Sequence, residues 1–269
     1  MTSENSQLVE DAANRLWTAA STQRPCSPVR ELIGSDDIAL AYAVQEFNVA
    51  RRLKAGARAV GRKIGMTAVA VQKQLGYDQP NYGILFGDRE VANGGEAPAD
   101  RLMQPRAEAE IAFVLGRDLN GDELTIADVV RSVDYAVSAI EIVDSRIAGW
   151  DIRITDSIAD NASCGMYVLG TRPRRIVDLD LALCGMVARL NGQVASVGVG
   201  GASLGNPLLA TLWLARTVAS AGQKLMAGDI VLSGALGPIV PLSNGDLFEA
   251  EIDGLGSVRL TLPRPHSEG

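Results

Sequence analysis

The stretch Pro105-Arg106-Ala107-Glu108-Ala109-Glu110-Ile111-Ala112-Phe113-Val114-Leu115 decides the reading of this chain, together with Ser138-Ala139-Ile140-Glu141-Ile142-Val143-Asp144. Both read as β-strands. Successive strand side chains point to opposite faces, so Glu108 and Glu110 share a face with Ala112 and Val114. By the same rule Glu141 shares its face with Ala139 and Val143, and Asp144 points the other way. Carboxylates among small apolar neighbours lose hydration, and three close together repel one another. A hard divalent cation such as Mg²⁺ or Mn²⁺ removes both costs, because it prefers oxygen ligands. Taken alone, the Glu108/Glu110 pair fits the wet face of an amphipathic strand equally well. Glu141 sits inside the apolar run Ala139–Val143, where a surface explanation is harder, and it tips the reading toward a metal.

Working outward, the chain has 269 residues, 47% hydrophobic and 21% charged, which fits an ordinary globular protein with a full core. A net charge of −7 with no basic cluster argues against nucleic acid or an anionic membrane as partner. No apolar run is long enough to span a bilayer, and the polar start is not a signal peptide. Cys26, Cys164 and Cys184 are widely spaced and suggest neither a disulfide framework nor a zinc site, so a reducing cytoplasm is expected. The only histidine is His266, in the polar tail. Ser-His-Asp, Cys-His and histidine-zinc chemistry would all depend on that one residue. Proton transfer is therefore assigned to carboxylates, lysine, hydroxyls or metal-bound water.

Helical spacing of Leu8, Ala12, Leu16 and Ala20 predicts a helix from about Gln7 to Ala20. A second helix is expected after Ser35 as N-cap, with Arg51, Arg52 and Lys54 in its last turn. A short strand over Ala59–Gly65 and a helix around Val69 to Leu75 follow. Beyond Gly94 strands dominate, with a short helix near Ile126 to Arg131 between the two glutamate strands. Asn191-Gly192 signals a tight hairpin, and Pro207 opens a helix that Gly222 ends. The segment Asp229–Ser233 and a hairpin near Phe248–Leu262 close the body. This pattern is α+β: a helical region over 1–58 and a mixed-sheet domain over 59–265, without strict strand–helix alternation. The run Gly198-Val199-Gly200-Gly201-Ala202-Ser203-Leu204-Gly205 fails the dinucleotide spacing, because Ser203 stands where the third glycine belongs.

Six pieces in unbroken order carry a family resemblance. They are Gly61-Arg62-Lys63-Ile64-Gly65-Met66-Thr67, Gln74-Leu75-Gly76-Tyr77-Asp78-Gln79-Pro80, Gln104 to Glu110, Glu141 to Arg146, Ala159 to Gly165, and Gly234-Ala235-Leu236-Gly237. Together they resemble the 2-hydroxypenta-2,4-dienoate hydratases and 4-oxalocrotonate decarboxylases of the fumarylacetoacetate hydrolase superfamily. The resemblance implies a mixed β-sheet roll or barrel entered through a small helical region. It implies a divalent ion, Mg²⁺ or Mn²⁺, held by Glu108, Glu110 and Glu141. It also implies a homo-oligomer such as a decamer, a role in bacterial meta-cleavage of aromatic compounds, and a possible complex with a pathway decarboxylase or aldolase. Hydrolase branches of the superfamily use a histidine–acid dyad that this sequence does not supply.

The substrate so implied is a small 2-hydroxydienoate or 2-oxo acid, and the reaction is hydration of 2-hydroxypenta-2,4-dienoate to 4-hydroxy-2-oxopentanoate. Lys63, between glycines, is the candidate catalytic cation, and Asp78 the proton carrier or water positioner. Each also has an ordinary reading, as an edge-strand lysine and as a turn residue before Pro80. Arg106, Asp160, Asn161, Ser163 and Leu236 are the substrate-binding candidates, although Asp and Asn in loops usually satisfy backbone groups. Arg146 has the same two options as Arg106: a site carboxylate or a surface pair. Two rival functions stand beside the hydratase: a 4-oxalocrotonate-type decarboxylase, and a catalytically silent partner subunit of a hydratase/decarboxylase complex.

Overall fold

Apolar stripes at helical spacing dock three helices at the start of the chain: α1 (Ser3–Thr22), α2 (Arg30–Ile33) and α3 (Ile38–Lys54). Val9, Ala12, Ala13, Leu16 and Ala19 are the buried face of α1, recurring every three or four residues. The cap of α3 is Asp37 and not Ser35: its carboxylate accepts the Leu40 amide, one of the orphan donors of the first turn. The computed structural model describes residues 3–68, 72, 77–121 and 123–264. The helix expected over Val69 to Leu75 falls, apart from Gln72, outside the described residues, as does His266.

The strands follow as β1 (Ala59–Gly65), β2 (Asn81–Phe86), β3 (Glu90–Val91), β4 (Arg106–Leu115) and β5 (Val133–Val143). Next come β6 (Cys164–Leu169), β7 (Gly185–Leu190), β8 (Gln193–Val199), β9 (Ile230–Ala235), β10 (Val240–Pro241), β11 (Leu247–Ile252) and β12 (Gly256–Thr261). Helices α4 (Ile126–Ser132), α5 (Ile154–Ala159) and α6 (Pro207–Ser220) lie between them. Among the described residues the larger sheet runs β2-β1-β9-β4-β5-β6-β3, with β10 joined to β4. It is mixed: β1 pairs parallel with β9 and β3 with β6, and the other neighbours are antiparallel. The smaller sheet, β12-β11-β7-β8, is antiparallel throughout. Its β7–β8 hairpin turns on Asn191 and Gly192, both at positive φ as a two-residue turn of this hand requires.

Alternation along β4 divides the molecule. Ala107, Ala109, Ile111, Phe113 and Leu115 face the main core, built against the smaller sheet through Met186, Phe248, Ala250 and Leu260 and against α6 through Leu214 and Val218. The other face of the same sheet carries a smaller apolar cluster of Val60, Leu85, Ala112, Val137, Ala139, Tyr167 and Leu232. Glu108, Glu110 and Glu141 belong by register to this second face. The N-terminal helices share a third cluster with α5 and Ile147. The fold is therefore the α+β roll expected, with the carboxylates lining the inside of its curl.

Candidate metal centre

The site begins with the β4–β5 register, in which Glu108 and Glu141 are directly opposed and Glu110 stands opposite Ala139. One carboxylate oxygen from each of Glu108, Glu110 and Glu141 lies within 4.8 Å of the others. Glu110 and Glu141 are fully buried and Glu108 half-buried. Lys63 comes from β1, which is separated from β5 by β9 and β4. In a flat sheet those two strands would stand about 14 Å apart with side chains projecting in parallel. The Lys63 ammonium nevertheless lies 3.1 Å from Glu141 Oε1. Curling of the sheet is what turns the two side chains toward each other.

Few of the carboxylate oxygens are satisfied by protein. Glu110 Oε2 accepts the Gly234 amide at 2.8 Å, from a glycine at φ 102° whose absent side chain would have met Thr67. Glu110 Oε1 and both oxygens of Glu141 are buried with no aligned hydrogen-bond donor among the described residues. Burial raises Glu110 well above the ordinary carboxylate range, and repulsion from Glu141 and Glu108 adds to it. Glu141 is pushed up to about 7, by burial first, against the lowering pull of Lys63. Burial likewise raises Glu108, with Lys63 opposing. Lys63 is the converse case: burial works to lower it, but Glu141 and then Glu108 outweigh that and raise it, so it stays an ammonium. Three carboxylates and one ammonium leave a formal charge of −2 when ionised. Orphaned oxygens, mutual repulsion and that residual charge fit a divalent cation with oxygen preference.

A left-handed turn completes the setting. Helix α5 ends at Ala159, and Asn161, Ala162 and Ser163 then take φ values of 55°, 51° and 54°. Non-glycine residues in this conformation cost roughly 1–2 kcal/mol each. Asn161 holds the turn against β2, its side chain accepting the Ile84 amide at 2.8 Å and donating to the Ile84 carbonyl at 3.0 Å. Gly83 makes that approach possible, since a Cβ there would fall 2.3 Å from the Asn161 carbonyl oxygen. So anchored, the turn presents the Ala162 carbonyl, which accepts from Lys63 Nζ at 2.9 Å.

The expected substrate-binding residues divide. Ser163 keeps a buried hydroxyl with no partner among the described residues. Asn161 does not: both ends of its amide are committed to Ile84. Asp160 is likewise taken, by the Arg146 guanidinium and by the Arg146 amide at 3.0 Å, which also places Arg146 away from the metal carboxylates. Leu236 packs into the main core, with its amide bonded to Ala109 and its carbonyl to Val199. Arg106 shares the Glu108 face of β4 but lies over the Trp150 ring at 4.2 Å. Asp78 is exposed and makes no bond to the cluster among the described residues. Asp144, just past the end of β5, accepts the Met103 and Gln104 amides instead of joining the cluster.

Two contributors escaped the sequence reading. The Gly234 amide is one, a backbone group with no side-chain signature. Asn81 is the other: it donates to Ser157 Oγ at 3.0 Å, while its own buried Oδ1 has no partner among the described residues. A Cβ on Gly65 would sit 2.4 Å from that oxygen and 3.5 Å from Lys63 Nζ, so both border one space. A polar residue opening a strand that is buried throughout was the available signal.

Comparison with known proteins agrees with this architecture. The chain is 58% identical over 250 residues to the TodF product hydratase of Pseudomonas putida, covering 93% of each. It is 50% identical over 249 residues to 2-keto-4-pentenoate hydratase 1 of Dechloromonas aromatica, covering 93% of this chain and 95% of that one. Its structure superposes with a TM-score of 0.90 on 4-oxalocrotonate decarboxylase from Pseudomonas putida G7, solved with magnesium and adipate, at 32% identity over 96% of this chain and 97% of that one. Residues 58–262 match the family described as fumarylacetoacetate (FAA) hydrolase C-terminal. With its curled mixed sheet and carboxylate cluster, the chain belongs to the fumarylacetoacetate hydrolase family.

Proposed function

We propose that this protein is a divalent-metal-dependent hydratase that adds water to 2-hydroxypenta-2,4-dienoate, or a close analogue, to give 4-hydroxy-2-oxopentanoate. The observation that carries the reading is the set of buried oxygens on Glu110 and Glu141 that accept no aligned hydrogen bond among the described residues, beside the Lys63 ammonium. Identity of 58% and 50% to proteins named as hydratases supports it. Glu108, Glu110 and Glu141 hold the ion, Mg²⁺ or Mn²⁺. When bound, that ion supplies Lewis acidity toward the carboxylate and adjacent oxygen of a 2-oxo acid.

The chain's own residues do the rest. Lys63, ion-paired to Glu141, places a positive charge where negative charge develops on the substrate oxygens. Ala112, Val137, Ala139 and Leu232, on the same sheet face, give a short hydrocarbon tail an apolar wall. Asp78 carries the proton delivered to carbon 5 as the enol proton leaves carbon 2's oxygen. Hydroxyl from water then adds at carbon 4 and a proton at carbon 3, so one water is consumed and nothing is released. Asn81 Oδ1 and Ser163 Oγ are the hydrogen-bonding groups left to orient substrate or water. We further take the working form to be a cytoplasmic homo-oligomer; no described helix is long and apolar enough to cross a membrane.

The decarboxylase reading draws on the superposition with 4-oxalocrotonate decarboxylase, at lower identity than to the hydratases. One assay separates them. Purified protein is incubated with 2-hydroxypenta-2,4-dienoate and with 4-oxalocrotonate, with and without Mg²⁺ or Mn²⁺. Metal-dependent loss of dienol absorbance without CO₂ is the expected result. Release of CO₂ from the dicarboxylate would instead establish the decarboxylase, and turnover of neither a silent subunit.

A further inference from the structure

A cavity of about 280 Å³ opens between α1, α3 and the edge of the larger sheet. None of Lys63, Glu108, Glu110 and Glu141 lines it. Its wall instead gathers Arg52, Arg89, Arg101 and Arg146 in a chain whose net charge is −7. Aligned beside them are apolar groups, Trp17, Phe86 and Met103.

The charges of this wall do not balance internally. Its two carboxylates are already committed, Asp160 to Arg146 and Asp144 to the Met103 and Gln104 amides. Arg52 is held by both oxygens of the neighbouring Asp88 at 2.7 Å and lies over Phe86. That leaves two guanidiniums. Arg89 lies 4.0 Å from Asp88, and among the described residues Arg101 reaches only the Asp88 carbonyl, at 3.4 Å. Burial lowers the Arg89 pKa and repulsion from Arg52 lowers it further, with the more distant Asp88 opposing them only in part. Planar guanidiniums with free donors beside an aromatic ring are suited to a carboxylate carrying an apolar body.

We propose that this cavity is a second ligand site, separate from the metal centre, which binds a small organic carboxylate through Arg89 and Arg101 with its apolar body against Trp17 and Met103. The metal takes no part in it. Benzoate is the probe, titrated calorimetrically into the full chain after removal of divalent metal with EDTA. Saturable binding is expected, weakened at least about tenfold by R89Q/R101Q, which removes two charge-assisted contacts. Mn²⁺ affinity of that variant stays at the wild-type level, which verifies its fold. The exposed single variant R101Q gives an intermediate loss. Absence of binding to the metal-free protein, or equal binding by the double variant, overturns the proposal. So does binding of inorganic phosphate but not benzoate, because the apolar wall then has no role. A change in sedimentation mass on R89Q/R101Q, with benzoate affinity unaltered, would make the arginines a subunit contact instead.

Discussion

Glu108 and Glu141 are Cα partners across the β4–β5 ladder, so two acidic side chains occupy a cross-strand position where opposite charges are the stabilising choice. With Glu110 one alternate position along, the repulsion is concentrated in the curl of the sheet, where water cannot screen it. Among the described residues, the Lys63 ammonium and the Gly234 amide offset it from the protein's side.

Glu141→Gln removes the carboxylate whose Oε1 faces the Lys63 ammonium and whose buried Oε2 has no partner among the described residues. Mn²⁺ affinity, read by titration calorimetry, falls at least about tenfold, or ~1.4 kcal/mol. In the wild type, Mg²⁺ at a hundred times its dissociation constant raises stability by about 2.7 kcal/mol through linkage alone. Identical affinity in variant and wild type would remove Glu141 from the centre.

Lys63→Met keeps the stem volume and deletes the ammonium. Turnover of the dienoate drops on the order of 10²- to 10³-fold, as for loss of a fixed group that stabilises developing charge. Metal-free protein is also destabilised by about 3–5 kcal/mol, because Glu141 loses its compensating charge. Added Mn²⁺ recovers much of the stability but not the rate; recovery of both would assign Lys63 a purely structural role.

Asp78→Asn leaves the carboxylate cluster untouched. Mn²⁺ affinity is therefore unchanged while kcat falls roughly 10²- to 10⁴-fold, the range of a positioned proton carrier. A rate within a factor of two of wild type, measured at saturating substrate, would pass the proton transfer to another group.

Asn161→Ala strands the Ile84 amide and carbonyl and frees the left-handed turn. Each stranded group costs about 1–3 kcal/mol, so urea unfolding shows a loss of ~2–6 kcal/mol in all. Since the turn aims the Ala162 carbonyl at Lys63, kcat declines too. Loss of stability with kcat intact would mean that the turn does not position the lysine.

Asp128 supplies the pH prediction. Hydrogen bonds from the Thr125 side chain and amide, with Arg131 beside it, depress its carboxyl from the ordinary 3.8 to about 2. A depressed carboxyl stabilises the fold above the unfolded-state value, and that contribution is lost as pH falls from about 3.8 to about 2. Asp128→Asn should therefore flatten the dependence of the unfolding midpoint on pH across that window; an unaltered slope would show that the capping box does not titrate.

Period and composition determined the elements. The N-terminal helices, the strand over Ala59–Gly65, the Asn191-Gly192 hairpin and the helix from Pro207 follow from side-chain spacing, turn chemistry and capping, which are local properties of the chain. Alternation also placed Glu108, Glu110 and Glu141 on coherent strand faces before any register was known. The three-dimensional fold decided the rest. Curling brought Lys63 across two intervening strands to Glu141, and sequence carries no record of curl. It spent Asp160 and Asn161 on Arg146 and Ile84, because loop polar groups bond whatever the packing brings nearest. It also supplied the Gly234 amide and the orphaned Asn81 oxygen, whose contributions depend on long-range proximity and not on spacing along the chain.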